Sequence, residues 1–184
     1  RNNPACQFAG SQDCVPEFEK MGIPMSRFTL LEPGRRYSLG GVDVITARSD
    51  HGELSPTSLS LLFDFGKVRV LFTGDTALNI PWMKPLIDLK PDIFLPCING
   101  RFGNLDAEEA AELTALVSPR VVVPCHFWMF KEQNGDPEAF VQACARRCPG
   151  VPVRLLTPGE GFHCSEQAIE AKGSAAPGAS SSKY

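Results

Sequence analysis

The chain of 184 residues lacks the features that mark membrane proteins, glycosylated secreted proteins and nucleic-acid-binding proteins. It contains no apolar run long enough to cross a bilayer. It has no Asn-x-Ser/Thr site for N-glycosylation, and its net charge of -3 provides no basic surplus for binding nucleic acid. These absences predict a protein that acts on neither a membrane nor a nucleic acid.

Sequence signatures of several common enzyme classes are missing as well. The chain has no Gly-x-Ser-x-Gly nucleophile elbow, no P-loop and no Gly-x-Gly-x-x-Gly dinucleotide-binding loop. Cys125 and His126 are poorly placed to act as nucleophile and base, because adjacent residues on a strand point to opposite faces. The remaining residues favour metal-assisted chemistry.

Disulfide bonds are not expected. The seven cysteines are an odd number at irregular spacing, in a chain rich in core-forming residues. We therefore expect reduced thiols and a cytoplasmic location. Cys144 and Cys148 lie one helical turn apart, but no second pair of matching spacing completes a metal site. Cys97 and Cys125 each follow a proline at a strand end and are expected to be small buried residues.

Length and composition predict one globular domain. Hydrophobic residues make up 43% of the chain and charged residues 21%, as in ordinary globular proteins. Residues 173–184 are rich in Ala, Ser, Gly and Pro, so we predict a disordered tail after a domain that spans residues 1–172.

Hydrophobic patterning predicts antiparallel strands first and β-α-β alternation afterwards. A short helix is predicted at 15–21, with strands at 28–31, 37–39, 42–48, 58–65 and 68–72. The last two strands form a hairpin through Gly66-Lys67. Further on, helices are predicted at 82–89, 107–117 and 137–147, and strands at 93–95, 121–123 and 153–156. This order predicts an α/β fold in which helices cover a mixed sheet.

Three potential metal ligands each follow a predicted strand. They are His51 after 42–48, Asp75 after 68–72 and His126 after 121–123. Ligands collect at strand ends in layered α/β folds, and two imidazoles with a carboxylate suit a divalent metal. Each residue alone has a simpler explanation: a turn for Asp75, an exposed loop for His51 and a core position for His126. The third histidine, His163, is expected to be structural or on the surface.

The loop at residues 99–105 is a candidate for binding the substrate. Arg101 offers a bidentate contact to an anion, and the side-chain amides of Asn99 and Asn104 add donors beside glycine N–H groups. Such a loop suits a phosphate or carboxylate group. A capped turn with an arginine facing solvent is the alternative that spacing leaves open.

Together these segments resemble the metallo-β-lactamase superfamily, and within it the L-ascorbate-6-phosphate lactonase-like branch. The resemblance is carried by residues 50–52 (Asp-His-Gly), 71–76 (Leu-Phe-Thr-Gly-Asp-Thr), 96–105 and 124–130 (Pro-Cys-His-Phe-Trp-Met-Phe). It implies an αββα sandwich with one or two Zn or Mn ions. By this resemblance, His51 matches the third-motif histidine, Asp75 the bridging aspartate and His126 the last histidine ligand.

The resemblance also implies an activity. Family members open a lactone ring by attack of a metal-bound hydroxide, so we expect a small-molecule substrate, with or without a phosphate group. Asn99, Arg101 and Asn104 are then expected to line the substrate side of the pocket. A phosphodiesterase of the same fold, and a non-catalytic remnant that acts as a binding or assembly module, are the alternatives. The sequence leaves open whether the protein is a homo-oligomer.

One expected motif is missing. The His-x-His-x-Asp-His motif of the superfamily, which includes the aspartate that orients the water, does not occur in this chain. We therefore expect an N-terminally incomplete sandwich that represents the C-terminal part of such an enzyme. We expect it to have little or no activity by itself, and to be prone to aggregation because one sheet face lacks its cover.

Overall fold

We describe residues 3–128, 135–165 and 169–171 of the chain from a computed structural model. Ten strands and four helices lie in these ranges. The strands are β1 (Phe8–Gly10), β2 (Phe28–Leu30), β3 (Arg36–Leu39), β4 (Val42–Arg48), β5 (Leu59–Asp64), β6 (Arg69–Phe72), β7 (Ile93–Leu95), β8 (Val121–Val122), β9 (Phe162–Cys164) and β10 (Ile169–Ala171). The helices are α1 (Val15–Lys20), α2 (Ile80–Ile87), α3 (Ala107–Val117) and α4 (Pro137–Arg147).

Six strands form the central sheet in the order β3-β4-β5-β6-β7-β8. Strands β3 to β6 are antiparallel, and β6, β7 and β8 run parallel to one another. The antiparallel part uses short turns, whereas the parallel part needs crossover helices, here α2 and α3. The predicted mixed sheet with hairpins first is confirmed.

One face of this sheet is the core. Four directly paired residues on neighbouring strands form a fully buried row, namely Leu62, Leu71, Phe94 and Val122. Helical residues such as Met83, Leu113 and Phe140 belong to the same cluster of buried side chains. Full burial of each large apolar side chain contributes about 1.5 to 3 kcal/mol, so this row anchors the sheet.

The opposite face of the sheet is also apolar but only half-buried. It carries Leu61, Phe63, Val70, Phe72, Ile93 and Leu95. Of these, Phe72 is the most open, at 36% exposure. The sheet thus presents apolar side chains on both sides, as a sheet between two layers does.

Both long helices begin as the sequence predicts. Asp106 caps α3 in a reciprocal capping box, in which its side chain accepts from the N–H of Glu109 while the Glu109 carboxylate accepts from the N–H of Asp106. Asp136 caps α4 by accepting from the N–H groups of Glu138 and Ala139. Helix α2 begins at Ile80, earlier than the predicted residue 82, because the side chain of Asn79 caps it.

Two strand predictions need correction. Strand β2 lies outside the antiparallel sheet and pairs in parallel with β1. Residues 153–156 do not form a full strand, since only Val153 makes a bridge, to Val122 of the two-residue strand β8. Because the partner strand β8 is only two residues long, residues 154–156 have no strand residues left to pair with.

The predicted tail at 173–184 and the boundary at residue 172 lie outside the described residues, so both stay predictions. None of the helices among the described residues combines the length and the hydrophobicity that a bilayer crossing requires.

Candidate metal centre

The direction of the strands brings the three predicted ligands to one edge of the sheet. Strands β4 and β6 both run antiparallel to β5, and β8 runs parallel to β6 through β7. The carboxyl ends of β4, β6 and β8 therefore share one edge. His51, Asp75 and His126 lie just beyond these ends.

The Asp75 carboxylate lies between the two imidazoles. Its Oδ1 is 2.9 Å from Nδ1 of His126, and its Oδ2 is 3.8 Å from Nε2 of His51. The side chains of His51 and His126 are 13% and 21% exposed, and that of Asp75 is 39% exposed. Each carboxylate oxygen thus faces one histidine at a partly open edge of the sheet.

The chemistry of these donors fits a divalent metal. Two imidazole nitrogens and a carboxylate are the ligands of hydrolytic Zn and Mn sites. Nδ1 of His51, the ring nitrogen that does not face Asp75, is buried without a hydrogen-bond partner among the described residues. Within those residues, however, no three His, Cys, Asp or Glu side chains are already spaced around one ion. We attribute this to the direct contact between Asp75 and His126, which takes up one side of the carboxylate.

The backbone places Asp75 through Gly74. Gly74 has a φ of +62°, and a Cβ at this position would lie 2.9 Å from the carbonyl oxygen of Leu59. Only glycine combines this left-handed conformation with such a close approach to the backbone. The Thr-Gly-Asp sequence therefore reflects a turn that presses against β5 and fixes the direction of the next residue.

His126 lies in a strained backbone position. The pairing of β7 with β8 continues past Pro96 and Pro124, since the N–H of Cys125 donates to Pro96 O over 2.9 Å and the N–H of Ile98 donates to Cys125 O over 3.1 Å. His126 comes next, with a φ of +60°. A left-handed non-glycine residue costs roughly 1 to 2 kcal/mol, and such strain is characteristic of functional sites.

A cavity of about 330 Å³ opens beside Asp75 and His126. Its lining consists of Phe72, Gly74, Asp75, Cys97, Cys125 and His126. Sequence reasoning assigned the two cysteines only a packing role and missed that they line this cavity. Their Pro-Cys dipeptides at two strand ends were the available signal, and the structure pairs Cys97 with Cys125 in an isolated bridge.

Both thiols are held in the protonated form. Burial, as the largest cause, together with the neighbouring Cys97 and the charge of Asp75, raises the pKa of Cys125 to about 12. Burial also raises the pKa of Cys97. The cavity wall is therefore neutral at this point, and the negative charge of the site belongs to Asp75.

The structure places the predicted substrate loop next to the same edge. The N–H of Leu105 donates to Thr76 O over 2.8 Å, which ties the loop to the residue after Asp75. Phe102 of this loop shares a second cavity, of about 370 Å³, with His51. The loop is therefore a neighbour of both Asp75 and His51.

Two buried amides in this loop have unused hydrogen-bonding capacity. Asn99 is fully buried and Asn104 is 6% exposed. Oδ1 of Asn99 and both amide atoms of Asn104 lack partners among the residues that the structure describes. Buried amides are normally satisfied, so a polar ligand is one explanation for these two. Arg101 is exposed on the same loop.

His163 lies away from these residues in the sequence and is exposed on β9, as expected for a surface histidine. Met129 and Phe130, which end the Pro-Cys-His segment, lie outside the described residues.

Comparison with known proteins identifies relatives. Residues 10–126 match the family described as the beta-lactamase superfamily domain. A UPF0173 metal-dependent hydrolase of Deinococcus radiodurans is 41% identical over 101 residues, which cover 54% of this chain and 42% of that protein. One of Aeropyrum pernix is 35% identical over 97 residues, 53% of this chain and 40% of that protein. The chain thus spans less than half the length of these relatives.

Solved structures with the same fold support the match. A metallo hydrolase from the archaeon Ignicoccus hospitalis superposes with a TM-score of 0.71 at 23% identity, over 87% of this chain and 69% of that one. An isothiocyanate hydrolase from Delia radicum gut bacteria gives a TM-score of 0.69 at 14% identity, over 86% and 67%. At such low identity these two show the fold alone, the α/β metallo-β-lactamase fold with a mixed sheet and flanking helices. With a family match over more than half of its length, this chain belongs to the metallo-β-lactamase superfamily.

Proposed function

We propose that this chain carries part of the metal site of a hydrolase, in which His51, Asp75 and His126 hold a divalent ion. The observation that carries the proposal is the meeting of three side chains from three separate strand ends. The imidazoles of His51 and His126 each lie near one oxygen of the Asp75 carboxylate. The names of the relatives as metal-dependent hydrolases support it. Zn and Mn are the ions that we propose on the basis of the resemblance and the mixed nitrogen and oxygen donors.

A divalent ion in this position supplies Lewis acidity and lowers the pKa of a bound water. The chain's own residues do the rest. Asp75 contributes the negative charge, and its contact with His126 sets the orientation of that ring. The apolar ring of Phe72 and the neutral thiol of Cys97 line the cavity beside Asp75 and His126.

We propose a lactone, or a similar ester of a small molecule with or without a phosphate group, as the substrate. The buried amides of Asn99 and Asn104 have the donors and acceptors to hold its hydroxyl and carbonyl groups. The exposed guanidinium of Arg101 suits an anionic group at the rim. A phosphodiester is the alternative substrate, because the same guanidinium also suits a phosphate diester.

We further propose that the chain has little or no activity by itself. Its three histidines stand at 51, 126 and 163, so the His-x-His-x-Asp-His motif does not occur in it. Three ligands leave a two-metal centre short of donors. A non-catalytic binding module is the alternative if the natural product is no longer than this chain.

The first experiment measures metal binding. Zn²⁺ and Mn²⁺ are titrated into the chain and into Asp75→Ala, with His163→Ala as the control that removes a histidine away from the proposed site. We expect binding by the chain and the control, and loss of binding in Asp75→Ala. Equal binding by all three would exclude the proposed site.

The second experiment measures hydrolysis. The chain and the full reading frame that encodes it are assayed with a small lactone and with a chromogenic phosphodiester. Lactone hydrolysis by the longer product alone is the expected result. Hydrolysis of only the phosphodiester would show that the substrate is a phosphodiester and not a lactone. Equal activity of the two polypeptides would contradict the proposed inactivity of the chain.

A further inference from the structure

His51 and Asp75 approach each other although their strands are not neighbours. Strand β5 separates β4 from β6. Two strand spacings place β4 and β6 roughly 10 Å apart. The side chains of His51 and Asp75 nevertheless lie 3.8 Å apart, so some contact beyond the strand ends must hold the two segments together.

The first such contact is made by Ser49, two residues before His51. Ser49 is 2% exposed, and its hydroxyl donates a 2.9 Å hydrogen bond to the carbonyl oxygen of Asp75. The hydroxyl of Ser58, just before β5, lies 2.8 Å from the Ser49 hydroxyl. The Ser49 side chain thus reaches past the start of β5 and bonds directly to the backbone of Asp75.

The second contact is made by Thr76, the residue after Asp75. Thr76 is fully buried, and its hydroxyl accepts a 2.9 Å hydrogen bond from the N–H of Asp50, next to His51. The same hydroxyl donates to the carbonyl oxygen of Ala77 over 2.9 Å. The N–H of Ala77 returns a 2.7 Å bond to the carbonyl oxygen of Asp50.

The two contacts are reciprocal. A hydroxyl from the His51 segment bonds to the Asp75 segment, and a hydroxyl from the Asp75 segment bonds to the His51 segment. Both hydroxyls are buried, so neither has water as an alternative partner, and loss of either one leaves a backbone group unsatisfied. These two hydroxyl bonds, together with the backbone bond from the N–H of Ala77 to the carbonyl oxygen of Asp50, hold the two segments together, and neither hydroxyl is a proposed metal donor.

We propose that Ser49 and Thr76 are positioning residues, which hold His51 and Asp75 at the separation that one divalent ion requires. This inference rests on the proposed metal site. It predicts that removing either hydroxyl weakens metal binding even though both proposed ligands remain. Groups that support metal ligands in this way change metal affinity by about 10- to 100-fold.

Ser60 provides a matched control. It is a fully buried serine in the same sheet, and its hydroxyl donates a 2.7 Å bond to the carbonyl oxygen of Thr73. That bond connects β5 to the end of β6 but touches neither the segment of His51 nor the carbonyl of Asp75. Loss of the Ser60 hydroxyl therefore removes a buried hydrogen bond of the same kind without freeing His51.

The experiment titrates Zn²⁺ into the full chain and into Ser49→Ala, Thr76→Val, Thr76→Ser and Ser60→Ala. We expect Zn²⁺ affinity to fall by about 10- to 100-fold in Ser49→Ala and Thr76→Val. Thr76→Ser keeps the hydroxyl and is expected to restore the affinity. Ser60→Ala is expected to lower the melting temperature as the other variants do, with unchanged affinity. A fall in affinity that follows melting temperature in all variants, or no rescue by Thr76→Ser, would overturn the proposal.

A second measurement separates this inference from the proposed function. In metal-free chain labelled with ¹⁵N-histidine, the ring resonances of His51 are expected to shift or broaden in Ser49→Ala and Thr76→Val but not in Ser60→Ala. If the unmodified chain binds no Zn²⁺, the metal site is refuted, while these resonances still report whether the hydroxyls hold His51. Unchanged His51 resonances in both variants would refute the positioning role.

Discussion

Oδ1 of Asp75 lies 2.9 Å from Nδ1 of His126, across the end of the strand that separates β6 from β8. On the other side of the carboxylate, His51 approaches from β4 across β5. Asp75 is thus the residue that connects the two histidines, and the first prediction concerns its charge.

Replacing Asp75 by asparagine keeps the size of the side chain and removes its negative charge. We expect Zn²⁺ affinity to fall by more than the roughly 10- to 100-fold that follows loss of a supporting group, because a proposed ligand itself is altered. Isothermal titration measures this change. Asp88→Asn is the control, since Asp88 forms a surface ion pair with Lys84 and should leave the affinity unchanged. Equal affinities of the two variants would contradict the role of Asp75.

Gly74→Ala is expected to destabilise the protein more than Gly66→Ala does. Both glycines have a positive φ, but a Cβ at Gly74 would lie 2.9 Å from the carbonyl oxygen of Leu59, whereas at Gly66 no described atom lies within 4 Å. Gly66→Ala should therefore cost about 1 to 2 kcal/mol for the left-handed backbone alone. Gly74→Ala should cost about 1 to 3 kcal/mol more, from overpacking. Urea unfolding measures the free energy of unfolding of both variants. An equal decrease in the two variants would show that the contact with Leu59 carries no strain.

Because of Asp13, the stability of the chain is expected to fall at acidic pH. Its Oδ2 accepts from the hydroxyl of Ser55 over 2.7 Å and from the N–H of Thr57 over 2.9 Å, which anchors the loop that follows His51. The Ser55 hydroxyl, as the largest cause, holds the pKa of Asp13 below its usual value of 3.8.

A lowered carboxyl pKa contributes stability that is fully present above pH 3.8 and is lost as the pH falls through the lowered pKa. In Asp13→Asn we expect this contribution to disappear, so the free energy of unfolding should change less steeply with pH below about pH 4. Urea unfolding across the acidic range measures the slope. A slope identical to that of the unmodified chain would contradict the prediction.

The thiols of the cavity are expected to resist alkylation. Cys97 is 1% exposed, and the pKa of Cys125 is raised to about 12 by burial, so neither supplies a reactive thiolate at neutral pH. Cys6 is partly exposed, whereas Cys97 is buried, and Cys6 should react with iodoacetamide before Cys97 and Cys125 do. Mass spectrometry of peptides after timed alkylation measures the order. Rapid labelling of Cys125 in the folded chain would show that the cavity is open and polar.

The half-buried face of the sheet is expected to bind hydrophobic dyes and to promote self-association. Phe72 and Leu71 are adjacent but lie on opposite faces, at 36% and 0% exposure. Phe72→Thr should therefore reduce dye fluorescence and light scattering with a small effect on folding. Leu71→Thr should lower the free energy of unfolding by about 2 kcal/mol or more, because it removes buried apolar atoms and buries a hydroxyl. A chain that binds no dye and melts in one sharp transition would argue that this face is already covered.

Local sequence patterns were sufficient to predict most of the elements. The alternation of β4, the turn at Gly66 and the predicted helix at 107–117 each depend on residues close together in the chain. The ends of the strands pointed to His51, Asp75 and His126 for the same reason. Where a pairing joined distant segments, the prediction was incomplete or wrong, as for β2 with β1 and for Val153 with Val122.

The sequence by itself therefore determined most of the strands and helices between β2 and α4 and the identity of the candidate ligands, because these depend on short-range spacing and on residue chemistry. It did not predict β1, β9 or β10. Only the tertiary structure decided that Cys97 and Cys125 meet in the cavity and that Ser49 and Thr76 bond His51's segment to that of Asp75. Those contacts join residues far apart in the chain. A serine or threonine carries no local mark of the distant carbonyl or N–H group that it will meet when the sheet forms.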